Sequence, residues 1–258
     1  YERFDRRALE GAVGGSITDG IRARIAGRVV KADGYIKSAA ALPGVFDGNG
    51  QDLGAENGWA LRGTIQADLG PDGKLDLWVK HSEDNNVATG GYVFDNCNLQ
   101  DNGYCGTDVA GLGNGSGGVI NGITGEPASP FQNFSDTPGN FNRNTQIYQG
   151  KLTYDLGVVN LTAITNYTDL EKDYQEDGDA LPVEVIVFRT TARYKQFSQE
   201  VRLSGESDTL RWQAGAYYLD MKIKGTIDTV GAPAIGAALG AGLPGVAPTI
   251  AEAYDLSS

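Results

Sequence analysis

Between Phe197 and Asp220 the chain reads FSQEVRLSGESDTLRWQAGAYYLD, two alternating arms around a polar turn. In the first arm Phe197, Val201 and Leu203 share one side, and Ser198, Glu200, Arg202 and Ser204 the other. In the second, Trp212, Ala214, Ala216 and Tyr218 oppose Gln213, Gly215 and Tyr217. A period of two belongs to a strand, whose successive side chains point to opposite faces. Aromatics flank the apolar stripe, Phe197 and Tyr218 towards one rim and Trp212 beside Leu203 towards the turn, as on the lipid-facing wall of a transmembrane β-hairpin. A hairpin of a water-soluble antiparallel protein alternates too, so recurrence and connections have to separate the two.

The pattern recurs. Arg6 to Gly14 sets Leu9, Gly11 and Val13 against Glu10, and Ile21 to Lys31 sets Ile21, Ala23, Ile25, Gly27 and Val29 against Arg22, Arg24 and Arg28. Gly58 to Leu69 sets Trp59, Leu61 and Ile65 against Arg62, Gln66 and Asp68, and Lys74 to Ser82 sets Leu75, Leu77 and Val79 against Asp76, Trp78 and Lys80. Thr145 to Leu156 sets Tyr148, Leu152 and Tyr154 against Gln149, Lys151 and Asp155, and Val158 to Asp169 sets Leu161, Ala163 and Tyr167 against Thr162, Asn166 and Thr168. With the hairpin, eight strands are expected, each with one face nearly free of charge.

The connections are unequal. Gly15 to Gly20, Gly70-Pro71-Asp72-Gly73, Gly157 and Gly205 to Thr209 are short and rich in turn residues. At the other end Ala32 to Asn57, Glu83 to Asn144, Leu170 to Tyr194 and everything from Ile223 onward read as long loops. Compact domains rarely carry structureless loops beyond about 12 to 15 residues. Short turns at one end and long loops at the other match an outer-membrane barrel.

Composition excludes other classes. The net charge of -12 argues against nucleic acid as a partner, because phosphate binding needs clustered Lys and Arg. No run of about 18 apolar residues without breakers exists, so a helical span is not expected. The nearest, Val230 to Ala251, is interrupted by Pro233, Pro244 and Pro248 and reads as a small-residue loop. Tyr1 opens in mid-pattern and Ser258 ends in a loop, so the chain reads as a piece of a longer one.

Three segments resemble the early barrel strands of TonB-dependent outer-membrane receptors: RALEGAVGGSITDGIRARIAGRVVKADGYI, ENGWALRGTIQADLGPDGKLDLWVKHSED and FSQEVRLSGESDTLRWQAGAYYLD. The FSQEVRL phrase, its turn and RWQAGAYYLD carry most of the likeness. The resemblance implies an all-β fold, antiparallel transmembrane β-barrel strands numbering about eight of about 22, with short periplasmic turns and long extracellular loops. Residues 1 to 258 would be part of the barrel, without the plug, the TonB box or the closing strands. The implied location is the outer membrane of a Gram-negative bacterium. The implied partners are its lipid, the TonB complex through the absent N-terminal region, and a siderophore or other small nutrient.

Several residues carry site expectations. Cys97 and Cys105, in the longest loop, are expected to form a disulfide, since the compartment read for this chain is oxidising and no third thiol competes. Tyr92, Phe94, Tyr104, Phe131, Phe134, Phe141 and Tyr174 supply aromatic loop surface for a ligand. On the lumenal face Glu10, Arg22, Arg24, Arg28, Arg62, Asp68, Asp155, Glu200 and Arg202 read as a salt-bridge lattice, with a path for an anionic ligand as the alternative.

Other motifs carry little. Asp173 to Asp179 with Glu184 approaches a calcium-loop spacing, but Gln175 and Pro182 break it, so it reads as a solvated acidic loop. The GxGxxG spacing of Gly113, Gly115 and Gly118 lacks a strand before it and a helix after it. The glycosylation triplets at Asn114, Asn133, Asn160 and Asn166 are uninformative, two of them lying within strands. No GxSxG elbow is present and His81 is the only histidine, so no enzyme, cofactor or metal site is expected. Two functions stay open: energised uptake of a scarce nutrient, with an iron-siderophore complex first, and a non-transporting barrel or adhesin whose loops are an interaction surface.

Overall fold

Alternation commits these segments to strands, because each then turns its apolar residues to one face and its polar residues to the other. The structure, a computed structural model, describes residues 5–38, 47–88, 132–133, 135–178, 186–231 and 249–255. In chain order the strands are β1 (Arg7–Thr18), β2 (Ile21–Ala32), β3 (Lys37–Ser38), β4 (Glu56–Asp68), β5 (Gly73–Asn86), β6 (Gln132–Asn133), β7 (Asn140–Asp155), β8 (Asn160–Asp177), β9 (Ile186–Glu206), β10 (Arg211–Gly231) and β11 (Thr249–Asp255). Nine of them form one open antiparallel meander, β1-β2-β4-β5-β7-β8-β9-β10-β11. The short β3 and β6 pair with each other in parallel and tie two connections together.

The register keeps the two chemistries apart. Val13, Ile25, Gly63, Val79, Tyr148, Tyr167 and Phe197 stand side by side on one face. Arg24, Thr64, Trp78, Gln149, Asn166 and Ser198 form the adjacent row on the other. The facing expected for every strand holds.

This sheet has no second layer among the described residues, so its apolar face is bare. Leu9 is 73% exposed, Val13 70%, Ile25 49%, Ile65 46% and Trp212 40%. An apolar expanse across eight strands, from β1 to β10, exceeds the few hundred Å² that a soluble monomer leaves uncovered. Small residues notch it: an open groove of about 1010 Å³ lies between Val13, Ile25, Gly63, Leu77, Tyr148 and Tyr167.

At one end the turns are short. Gly20, Gly70 and Gly157 take positive φ there, and at Gly157 (φ 91) the Asp155 carboxylate accepts the glycine N–H at 2.7 Å. The first turn is shorter than expected, because β1 continues through Gly15 to Thr18 with an irregular register beside Ser16.

The other end corrects the expected loops. β7 begins at Asn140, β8 runs to Asp177, β9 begins at Ile186 and β10 runs to Gly231, so the supposed loop Leu170 to Tyr194 is mostly strand. The stretch from Val230 to Ala251 is not all loop either. Its last residues enter a ninth sheet strand, β11, which pairs with Lys224 to Val230. Hydrophobic alternation fades there while the backbone ladder continues, since hydrogen bonding between strands needs no apolar face.

Among the described residues the buried apolar side chains gather at this end. Ile36 (4% exposed), Leu53 (2%), Ala88 (5%) and Val187 (1%) are buried beside the polar Asn133, Ser135, Thr137 and Asp177. The Asn49 amide donates to Ser135 Oγ and the Thr137 carbonyl, both at 3.1 Å. Gln51 grips Gly139 from both sides, donating to its carbonyl at 3.0 Å and accepting its N–H at 2.7 Å. These contacts pin the connection before β4 to the start of β7.

Candidate functional site

The polar face carries charge near the short turns and an aromatic cluster near the long connections. At the short-turn end Arg22 pairs with Asp68 at 3.4 Å, and Arg202 with Glu200 at 2.9 Å on the same strand. Glu10 stands opposite Arg28 in the register. Arg62 departs from the expected lattice: its guanidinium lies over the Trp78 ring, 4.8 Å from the centroid, so a cation–π contact holds it. Asp155 serves the turn at Gly157. Arg24 and Arg202 each lie against a glycine, with a Cβ built on Gly14 falling 2.8 Å from Arg24 Cβ and one on Gly215 falling 3.0 Å from Arg202 Cγ. Side chains at these two glycines would collide with the arginines.

Of the seven aromatic ligand candidates, Phe141 and Tyr174 are described, and they lie on strands rather than loops. They face each other across β7 and β8 with ring centroids 6.0 Å apart, edge to face at 78°. Arg143 sits 5.5 Å from the Phe141 ring and Lys172 Nζ 5.4 Å from the Tyr174 ring. Asp84 holds Arg143, accepting from Nε at 3.0 Å and Nη2 at 2.7 Å. Tyr174 donates to Glu176; burial first, and then that hydrogen bond and the Glu176 charge, raise the phenol above its ordinary value, so it stays a donor. Two aromatic rings with two cations on one face can hold an anionic ligand bearing flat, unsaturated groups.

Arg143, Lys172 and Asp84 were missed by sequence reasoning. The signal was the alternation of FNRN and LEKDYQ beyond the expected strand ends. Tyr92, Phe94, Tyr104, Phe131, Phe134, Cys97 and Cys105 lie outside the described residues, as do Gly113, Gly115, Gly118 and Asn114. The calcium-like segment is corrected: Asp173 to Asp177 belong to β8, with Asp173 and Tyr174 on opposite faces and Glu184 outside the described residues. A strand cannot wrap its alternate side chains around one ion.

On the apolar face aromatics mark two levels. Trp59, Tyr148, Tyr167, Phe197 and Tyr218 lie towards the long connections, and Tyr154 and Trp212 towards the turns. The upper boundary steps across the register, since Phe197 stands opposite Asp220 while Tyr218 stands opposite Gln199. Strands tilted about 35–45° in a barrel wall produce such a step. Trp59 also donates to Glu83 at 3.2 Å, anchoring its polar edge above the apolar band.

A meander with one apolar and one polar face, aromatic rims, and unequal ends is a wall segment of a large antiparallel barrel. Its fold is that of the barrel region of TonB-dependent siderophore receptors. The ferric yersiniabactin uptake receptor FyuA from Yersinia pestis matches with a TM-score of 0.60 at 14% identity, over 89% of this chain and 30% of that one. The siderophore receptor PiuA from Acinetobacter baumannii gives 0.57 at 15% identity, over 97% and 35%. The open form of the ferric-catecholate import receptor Fiu from E. coli K12 gives 0.54 at 12%, over 89% and 33%. The chain therefore spans about a third of the length of these receptors. All three are named as receptors, none as an enzyme. No protein-family model and no curated protein matches the sequence.

Proposed function

We propose that this chain is part of the barrel wall of an outer-membrane receptor that takes up a scarce nutrient, an iron-siderophore complex first among the candidates, with energy supplied through TonB. The observation that carries the reading is the pairing of a bare apolar face with a polar face that ends in Phe141, Tyr174, Arg143 and Lys172. Lipid covers the first and the lumen takes the second. The fold shared with FyuA and PiuA supports the same reading. The plug and TonB box belong to the proposal as segments upstream of residue 1, and a Cys97–Cys105 disulfide as a stiffener of the longest connection.

The test is uptake of radiolabelled iron by cells whose only receptor is the full-length protein, offered ferric siderophores of catecholate, hydroxamate and mixed types. Uptake of one class that disappears with Arg143→Ala plus Phe141→Ala, while the barrel still assembles, supports the reading. Absence of uptake for every class, together with an upstream sequence that lacks a plug, assigns the barrel to adhesion instead.

A further inference from the structure

Beyond Tyr218 the strand β10 exchanges its two chemistries. Asp220, Lys222, Lys224 and Asp228 now lie on the face that is apolar elsewhere, while Leu219, Met221, Ile223 and Ile227 lie on the polar one. The facing is fixed by the register: Leu219 stands opposite Ser198, a member of the polar row, and β9 and β10 stay paired from Arg211 to Gly231 without a shift. No slip hides these side chains. Leu219 remains 46% exposed and Ile227 52%, and no described residue packs over them. A lumenal wall is ordinarily polar because water meets it, so an apolar strip there is matched to something apolar.

The strip is continuous with the aromatic and cationic cluster. Ile227 shares the row of Tyr174 through Thr190, and one same-face step below Lys172 the row runs Leu170, Tyr194, Ile223. Tyr194 spends its hydroxyl on Gln196 of its own strand, which leaves the ring as apolar surface. Between these two rows Lys172 is followed by Ala192 and Gly225, so the wall is shallow beside the ammonium. A Cβ built on Gly225 would fall 2.5 Å from the Thr191 carbonyl, which keeps that position without a side chain. Strands about 4.8 Å apart put Ile223 about 10 Å across from β8, and the strip descends about 13 Å from Ile223 to Leu219. On β2, β4 and β5 the same face carries Arg24, Arg28, Arg62 and Lys80 instead. An apolar group held beside the cluster has one side to lie on.

We infer that the ligand is an amphipathic anion, whose flat charged head lies at Arg143 and Lys172 and whose aliphatic arm lies along Leu170, Ile223 and Leu219. The inference rests on the lumenal reading of the polar face under Proposed function and names the class of ligand for that site. Seating the arm takes apolar surface of both partners out of water, which a wholly polar ligand would leave exposed.

The test is equilibrium binding of two radiolabelled ferric tris-catecholates, identical except that one carries an octanoyl arm, to the full-length receptor in lipid nanodiscs, with binding to empty nanodiscs subtracted. The wild type is expected to bind the acylated chelate about tenfold more tightly, a comparison that needs no variant to fold. Leu219→Ser with Ile223→Ser should remove that advantage and leave the affinity for the acyl-free chelate unchanged, whereas Leu219→Met with Ile223→Val should keep it. Equal affinity of the wild type for both chelates, or an advantage that survives the serine pair, overturns the apolar strip as a ligand site. Equal weakening of both chelates by the serine pair assigns the strip to packing within the receptor and overturns it as well. These outcomes leave the reading under Proposed function standing. Binding of neither chelate by the wild type overturns the anionic ligand site itself, and this inference with it.

Discussion

Replacing Gln51 by alanine removes both hydrogen bonds that clamp Gly139, the 3.0 Å bond to its carbonyl and the 2.7 Å bond from its N–H. Gly139 is buried immediately before β7, and Gln51 is half-buried over it. A net contribution of about 1 kcal/mol per bond makes the clamp worth about 2 kcal/mol. Local opening should therefore become about 30-fold more frequent, since every 1.4 kcal/mol is a factor of ten. Hydrogen exchange of the full-length receptor would read this directly, as faster exchange in the peptide around Gly139. Exchange in β9 and β10 should not change, because those strands carry their own ladders and touch neither residue. Unchanged exchange at Gly139 in the variant would refute the claim that this side chain holds the connection. A uniform acceleration across all strands would refute the claim that the clamp is local.

Three further outcomes are expected. Gly215→Val should destabilise the barrel by about 1–3 kcal/mol in denaturant unfolding, because its Cβ would fall 2.7 Å from the Val201 carbonyl and 3.0 Å from Arg202, while Gly15→Ala, with nothing within 4 Å, should cost far less; equal effects would tell against the crowding. In single-tryptophan versions of the receptor, brominated lipid should quench Trp59 and Trp212 and spare Trp78, and quenching of Trp78 alone would invert the assigned faces. Burial raises the Asp52 pKa, but hydrogen bonds from Lys37 and the Ser38 N–H outweigh it and set the value below the ordinary 3.8. The contribution of this half-exposed pair, about 1 kcal/mol or less, is thus present above pH 3.8 and lost as pH falls through the lowered value, which exchange around residue 52 should show; loss at neutral pH would contradict it.

Local alternation and turn residues already settle the strands that cross the apolar band, their facing and the turns between them. Leu75, Leu77 and Val79 against Asp76, Trp78 and Lys80 leaves one way to orient β5 once one face is apolar, because a slip of one residue would exchange the faces. Gly70-Pro71-Asp72-Gly73 marks its own turn for similarly local reasons. Where the strands end on the long-connection side emerges from the pairing of neighbouring strands alone. From Leu170 to Asp177 one face is Glu171, Asp173, Gln175 and Asp177 and the other alternates Leu170 and Tyr174 with Lys172 and Glu176, so the apolar face is lost although the hydrogen-bond ladder continues. The site depends on that continuation, since it places Phe141 with Tyr174 and Arg143 with Asp84, partners 33 and 59 positions apart. The joint that supports it lay equally out of reach. Gln51 meets Gly139 across 88 positions, and which of two distant polar residues become neighbours is set by the strand order that brings them together, not by any local spacing.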